Sequence, residues 1–410
     1  MKPLPPAFVA GLPALVGDEA GALAAALDQP PVRAQRANRL KVDHPPPGEP
    51  VPWCPDAAYL DGPADPLAVA AGLVYVQEPS AMAVVEALDP RPGDVVLDLA
   101  ASPGGKASHL ASRIGATGVL VANEVGRSRL GPLLENLERW GHPQTVVTSI
   151  DVDALVAATG AAFDRVVLDA PCSGEAMFRK DAAAREQWSP AHVEGSARRQ
   201  RRLLADAARA VRPGGDLAYS TCTFNRTEDE DVVDAFLAEH PGWDLRHTER
   251  RWPHVDRADG HFVAVLRAPA GDPPDRRPPP RPRRPPELPT LLRGLDPDRV
   301  VERREALYLV PPVDLGLARA VLPGLHLGQR RPGRFEPSHA LALSTLALDV
   351  AAEHLDDADA ARFLAGEVLD RPGPDGWTRV HHHAHPIGWA KRVAARLKPK
   401  LPPRARTTTG

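Results

Sequence analysis

The stretch Val95-Val96-Leu97-Asp98-Leu99-Ala100-Ala101-Ser102-Pro103-Gly104-Gly105-Lys106 decides the fold. An apolar run passes through a tight turn of small residues and enters a helix at Lys106. Gly104 and Gly105 let the backbone come close to a ligand, and a helix N-terminus presents free N–H groups to a carboxylate. The spacing is not the Gly-x-x-x-x-Gly-Lys-Ser/Thr of a phosphate loop. Nor is it the full Gly-x-Gly-x-x-Gly of a dinucleotide site.

On either side of this stretch, strand and helix patterns alternate. Strands are expected at 94–99, 118–123, 145–150, 165–168, 217–220 and 262–266, the last closing the sheet. Helices are expected to begin at Lys106 and to cover 127–140, where Leu130, Leu133, Leu134 and Leu137 share a face. Another runs through 198–211, stopped by Arg212-Pro213-Gly214-Gly215, and a last one covers 228–239. This alternation specifies an α/β, doubly wound sheet with right-handed crossovers. Ligands gather at the carboxyl ends of such strands. Glu124, Asp151 and Asp169 each follow a strand there. Glu124 is placed to accept bonds from ribose hydroxyls. Taken singly, each reads equally well as a helix cap or a surface carboxylate. Together they suit S-adenosylmethionine, which carries a sulfonium and an ammonium and no phosphate.

Two cysteines occupy equivalent places. Cys172 lies in Asp169-Ala170-Pro171-Cys172-Ser173-Gly174-Glu175, and Cys222 in Ser220-Thr221-Cys222-Thr223-Phe224. Each follows a short apolar run that reads as a buried parallel strand. A thiolate can add to an aromatic base carbon and later leave, so the pair suggests covalent catalysis rather than a disulfide.

The 410 residues leave room for two or three domains. An apolar content of 43% and a charged content of 25% are those of a globular protein. Three cysteines make no disulfide framework, so a reducing, cytoplasmic setting is expected. No apolar run of membrane-spanning length is read, and no signal peptide, so no membrane partner is expected. A net charge of −3 does not announce nucleic-acid binding. Local clusters do offer phosphate contacts: Arg198, Arg199, Arg201 and Arg202, and again Arg276, Arg277, Arg281, Arg283 and Arg284. A solvated helix face or linker explains either cluster as well.

Four segments are expected. Residues 1–70 form a small α+β extension with one helical stretch at 18–27. Residues 71–268 form the Rossmann-like core. Residues 269–289 are a stiff Pro/Arg-rich linker, and residues 290–410 are a C-terminal α+β region with a basic tail from Lys391 to Arg406.

With these motifs in place, the chain resembles the Sun/Fmu-type RNA cytosine-5 methyltransferases, in the branch of ribosomal RNA small-subunit methyltransferase F. The resemblance rests on the 100–106 loop and both cysteine motifs. It extends to Tyr75-Val76-Gln77-Glu78-Pro79-Ser80-Ala81-Met82, Phe178-Arg179-Lys180-Asp181, Arg334-Phe335-Glu336-Pro337-Ser338 and Pro386-Ile387-Gly388-Trp389-Ala390-Lys391. It implies an S-adenosylmethionine-dependent enzyme with a C-terminal PUA-like region, both flanks gripping RNA. Cys222 would be the nucleophile at cytosine carbon 6. Cys172 would assist removal of the carbon-5 proton and product release. Asp169 would hydrogen-bond the cytosine edge at its ring nitrogen or amino group, and Lys106 would help order the site. Cofactor contacts would fall on Ala100, Ala101, Ser102, Pro103, Gly104, Gly105, Lys106, Glu124, Asp151 and Asp169. The expected partner is 16S ribosomal RNA in the small subunit or its precursor, and the expected form a monomer.

A transfer-RNA cytosine-5 methyltransferase would share this chemistry, because the core motifs do not encode the substrate. A non-catalytic RNA-binding assembly factor is the rival of another class, and the intact cysteine pair argues against it. No metal is expected. His381, His382, His383 and His385 tempt such a reading, but adjacent side chains of a strand alternate faces and cannot all converge. Cys54 reads as a small buried apolar residue.

Overall fold

A computed structural model describes residues 2–272, 274–279, 287–317 and 319–405. The core is a seven-stranded sheet. In chain order its strands are β1 Val95–Asp98, β2 Val119–Asn123, β3 Thr145–Thr148, β4 Phe163–Asp169, β5 Val211–Thr221, β6 Asp244–Arg251 and β7 His261–Arg267. The spatial order is β6-β7-β5-β4-β1-β2-β3. Five strands are parallel, and β7 and β6 add antiparallel at one side. The order reverses beside β1, so a crevice opens at the carboxyl ends of β1 and β4. Val96, Leu97, Val121, Val166 and Leu217 are fully buried, as expected of strands covered on both faces.

The elements depart from the sequence reading in several places. β6 lies outside the strand at 262–266, so β7 does not close the sheet. The expected helix at 198–211 instead spans Pro190–Ala208, capped by Ser189, whose side chain accepts from His192 N. Arg212-Pro213-Gly214-Gly215 belongs to the opening of β5, with its register against β4 shifted there. Arg198, Arg199, Arg201 and Arg202 all lie on that helix, and Arg198, Arg201 and Arg202 together with Arg199 keep their charges toward solvent rather than in the core.

The N-terminal segment opens with two helices rather than one, Pro6–Val16 and Ala20–Leu27, joined by a turn at Gly17–Glu19, and has a short third at Pro66–Ala70. By length and composition the 22 residues Pro6–Leu27 would suffice to cross a membrane, which corrects the reading that no apolar run approaches that size. Here the turn breaks them. Phe8, Leu12, Leu23 and Leu27 pack against Ala176, Phe178 and Phe224, residues of the two cysteine loops. A four-stranded sheet comes next, whose last strand is Val74–Gln77.

Beyond the linker stand two sheets, not one region. Four antiparallel strands between Val300 and Pro337 form the first, and five strands between Ala351 and Pro399 the second. Of the residues read as a basic tail, Lys391, Arg392, Arg396 and Lys398 lie in strands, and Arg406 lies outside the described residues. So do Arg281, Arg283, Arg284, Pro285 and Pro286 of the linker. Trp140 and Trp389 are core residues.

Candidate active site

β4 and β5 run parallel and end side by side, with Asp169 paired to Ser220. The chain leaves β4 through Ala170-Pro171 and reaches Cys172, while Cys222 comes directly after β5. The two half-buried thiols face each other at an Sγ···Sγ distance of 3.5 Å. The Cys172 thiol is held well above its ordinary value, first by its hydrogen bond to Cys222 and then by burial.

Two buried glutamates stitch the cysteine loops together. Glu175 accepts from Phe224 N (2.7 Å), Asn225 N (3.1 Å), Asn225 Nδ2 (3.0 Å) and Trp188 Nε1 (3.0 Å). Glu228 accepts from Ser173 N (2.9 Å), Gln200 Nε2 (2.9 Å) and Asn225 Nδ2 (2.8 Å). These bonds satisfy backbone donors that would otherwise be buried without partners, and they fix the spacing of the thiols.

Asp169 stands beside the pair. Its Oδ2 accepts from Lys106 Nζ at 2.8 Å and its Oδ1 from Ser220 Oγ at 2.9 Å. Burial alone would raise this carboxyl, but the Lys106 ammonium and the His261 imidazole hold it well below the usual carboxylate range. The salt bridge raises Lys106 in turn, against burial. Asp169 is therefore an ionised hydrogen-bond acceptor at neutral pH.

The loop after β1 is closely held. Leu99 N bonds Val167 O, Ala101 N bonds Asn123 O, and Ser102 Oγ donates to Arg129 O. Asn136 Nδ2 donates to Pro103 O at 2.7 Å. Gly104 has φ +114°, and a side chain there would crowd Asn136 at 3.2 Å. The helix Gly105–Ile114 starts immediately after. Two buried carboxylates border the loop. Asp98, whose Oδ2 has no partner, is pushed up to about 7 by burial. Glu124 accepts from Gly126 N at 2.8 Å through Oε1, while its Oε2 makes no hydrogen bond and lies 3.5 Å from Arg129 Nη1.

The structure thus brings together Cys172, Cys222, Asp169 and Lys106, with the 100–106 loop and Glu124 along the same sheet edge. Asp151 is less involved: it precedes the helix Val152–Thr159, exposed and without a capping bond. Sequence reasoning missed Asp98, Ser220, Glu228, Asn225 and His261 as members of the site. Asp98 and Ser220 stood within quoted motifs; the others needed the fold to bring distant segments together.

The four histidines of 381–385 do not all converge. His382 ends its strand and His383 turns at φ +50°, so two of the four histidines do converge, both Nε2 atoms meeting Asp357 Oδ1 at 2.8 and 3.1 Å. His381 stacks on His354 instead. Cys54 is buried as expected, with its thiol on Glu86 Oε1 at 3.4 Å.

Comparison with known proteins agrees with this architecture. Residues 85–267 match the family described as 16S rRNA methyltransferase RsmB/F. Residues 4–79 match the N-terminal domain of 16S rRNA methyltransferase RsmF, 287–345 the RsmF rRNA methyltransferase first C-terminal domain, and 352–407 the methyltransferase RsmF PUA domain. The chain is 34% identical to ribosomal RNA small subunit methyltransferase F of Erwinia tasmaniensis, over 86% of this chain and 84% of that one. It is 30% identical to the protein of that name from Serratia proteamaculans, over 97% and 96%. A methyltransferase homolog protein from Pyrococcus horikoshii superposes with a TM-score of 0.55 at 27% identity, over 64% of this chain and 94% of that one. With this fold, these four matched segments and these full-length relatives, the chain belongs to the RsmB/F family of methyltransferases, in its RsmF branch.

Proposed function

We propose that the protein is an S-adenosylmethionine-dependent RNA cytosine-5 methyltransferase acting on 16S ribosomal RNA in the cytoplasm. The observation that carries the reading is the pair of half-buried thiols 3.5 Å apart beside an ionised, lysine-bound carboxylate. Carbon 5 of cytosine is not nucleophilic in the free base. A thiolate added at carbon 6 makes it so.

The residues at the sheet edge suit the cofactor. Asp98 Oδ2 and Glu124 Oε2 are buried acceptors without hydrogen bonds, one available to a cationic group and the other to ribose hydroxyls. The Gly104–Lys106 turn opens a helix N-terminus that can receive a carboxylate. When bound, S-adenosylmethionine supplies an electrophilic methyl group.

In the proposed sequence the Cys222 thiolate forms a bond to cytosine carbon 6, and the displaced π electrons load carbon 5. Asp169 accepts a hydrogen bond from the cytosine amino group. Its ionised state favours that group over the bare ring nitrogen, narrowing the alternatives left by the sequence. Lys106 holds Asp169 in place and offsets negative charge gathering on the ring. After carbon 5 is methylated, Cys172, having released its own proton to solvent, takes the carbon-5 proton. The C–H electron pair restores the ring double bond, and Cys222 leaves as thiolate. The sheets flanking the core would hold the RNA while a base is turned into the pocket.

The test is adduct trapping on a denaturing gel. Cys222→Ala should abolish the protein–RNA adduct. Cys172→Ala should form it and release it slowly, leaving protein fixed to RNA. The reverse pattern would exchange the two roles.

A further inference from the structure

Two motifs have no part in the chemistry above: Gln77-Glu78-Pro79-Ser80 ahead of the core and Phe178-Arg179-Lys180-Asp181 behind Cys172. In the fold both end on the same three residues, Ala258-Asp259-Gly260. Glu78 Oε1 accepts from Asp259 N at 2.8 Å, and Ser80 Oγ from Gly260 N at 3.1 Å. Arg179 Nη1 donates to Ala258 O at 2.7 Å and to Asp259 Oδ1 at 3.0 Å. Lys180 Nζ reaches Asp259 Oδ2 at 2.6 Å, and Val32 N donates to Oδ1 at 3.0 Å. Gly260 has φ +114°, and a Cβ there would come within 2.3 Å of Phe224 Cε1, against the nucleophile loop. A turn clamped from three directions and pressed onto that loop fixes the start of the strand it leads into.

That strand is β7, and its first residue is His261. The neighbouring Phe262 pairs with Thr221, which places His261 across from the end of the strand that delivers Cys222. The residue is 5% exposed. Its Nε2 lies 3.4 Å from Asp169 Oδ1 and makes no closer bond. That is beyond the usual 2.9–3.0 Å of an N–H···O bond, whereas Lys106 and Ser220 hold the same carboxylate at 2.8 and 2.9 Å. Charged groups facing the ring are Lys106, Asp169 and Glu78; burial and Lys106 lower its pKa, so the ring is neutral near pH 7. Contacts of this kind often stand open before substrate binds and tighten in the complex.

We propose that His261 is a positioning residue for Asp169, donating its Nε2–H to Oδ1 as the base is engaged, and that the 77–80 and 178–181 motifs serve to place it. This rests on the cytosine-5 reading. With Ser220 and His261 on Oδ1 and Lys106 on Oδ2, the carboxylate cannot rotate, and its free lone pair is aimed at one point in the pocket.

The test compares His261→Ala, His261→Phe and His261→Gln, by methylation of a 16S ribosomal RNA substrate and by trapping on RNA containing 5-fluorocytidine. Alanine and phenylalanine should lower kcat roughly tenfold or more, the scale of one lost charge-assisted hydrogen bond. KM for S-adenosylmethionine and the melting temperature should stay close to wild type. Glutamine, which keeps a side-chain N–H, should recover most of the rate. A phenylalanine variant as fast as wild type would overturn the positioning role alone. Absence of any trapped adduct with the wild-type enzyme would overturn the cytosine-5 reading and this role with it.

Discussion

Asp98 ends β1 fully buried, with one oxygen on Ala100 N at 3.3 Å and the other unpartnered. Burial pushes it up to about 7, against the pull of Lys106. A carboxyl raised in this way is protonated below that pH, and a cationic ligand selects the ionised form. Affinity for S-adenosylmethionine should therefore fall as pH drops below about 7, by up to roughly tenfold per unit. Calorimetric titrations between about pH 5.5 and 8.5 would show the slope, and Asp98→Asn should flatten it. A slope unchanged in that variant would place the proton elsewhere. Which residues were legible divides sharply at this scale. Cys172, Cys222 and Asp169 announce themselves through local motifs. Glu175 lay inside one of those motifs, yet its task depends on Phe224 and Asn225, far along the chain, and local pattern carries no trace of that. Glu228 and His261 were hidden for the same reason.

Among the elements, buried strands were the easiest to read, because 95–97 of β1, 119–122 of β2 and 166–168 of β4 are continuous apolar runs. β6 was invisible: as an edge strand it carries Asp244, Arg246, His247, Glu249, Arg250 and Arg251, with no apolar alternation to betray it. The helix Pro6–Val16 was missed because it contains Pro13 and begins among prolines, which weigh against a helix interior. Tertiary packing outweighs that. The Phe8 ring meets Phe178 edge-on at 5.1 Å and Trp188 at 5.5 Å, over the segment beyond Cys172. Phe8→Ala should cost about 3 kcal/mol of stability, lower the melting temperature and slow adduct formation. Thermal melts with parallel trapping would check it. A full loss of stability with unaltered adduct kinetics would confine the helix pair to a structural role.

For the whole molecule, the core and its flanks were legible because the motifs of the RsmF branch recur from the N-terminal segment to the last sheet. The C-terminal region was less so. Its two sheets consist of short strands of mixed polarity, and only pairing partners far apart in sequence separate them. One of its segments caps the core: Leu322 bridges Val147 of the edge strand β3 in both directions, at 2.9 and 3.1 Å. Leu322 thereby ties the C-terminal region to the edge of the core sheet. The most direct test of the central claim is bisulfite sequencing of total RNA from cells with and without the gene. The account predicts one or a few protected cytosines in 16S ribosomal RNA that disappear on deletion and return with the wild-type gene but not with Cys222→Ala. Loss of protection in transfer RNA instead would contradict the substrate, and unchanged protection in every RNA, with the gene expressed, would contradict the enzyme.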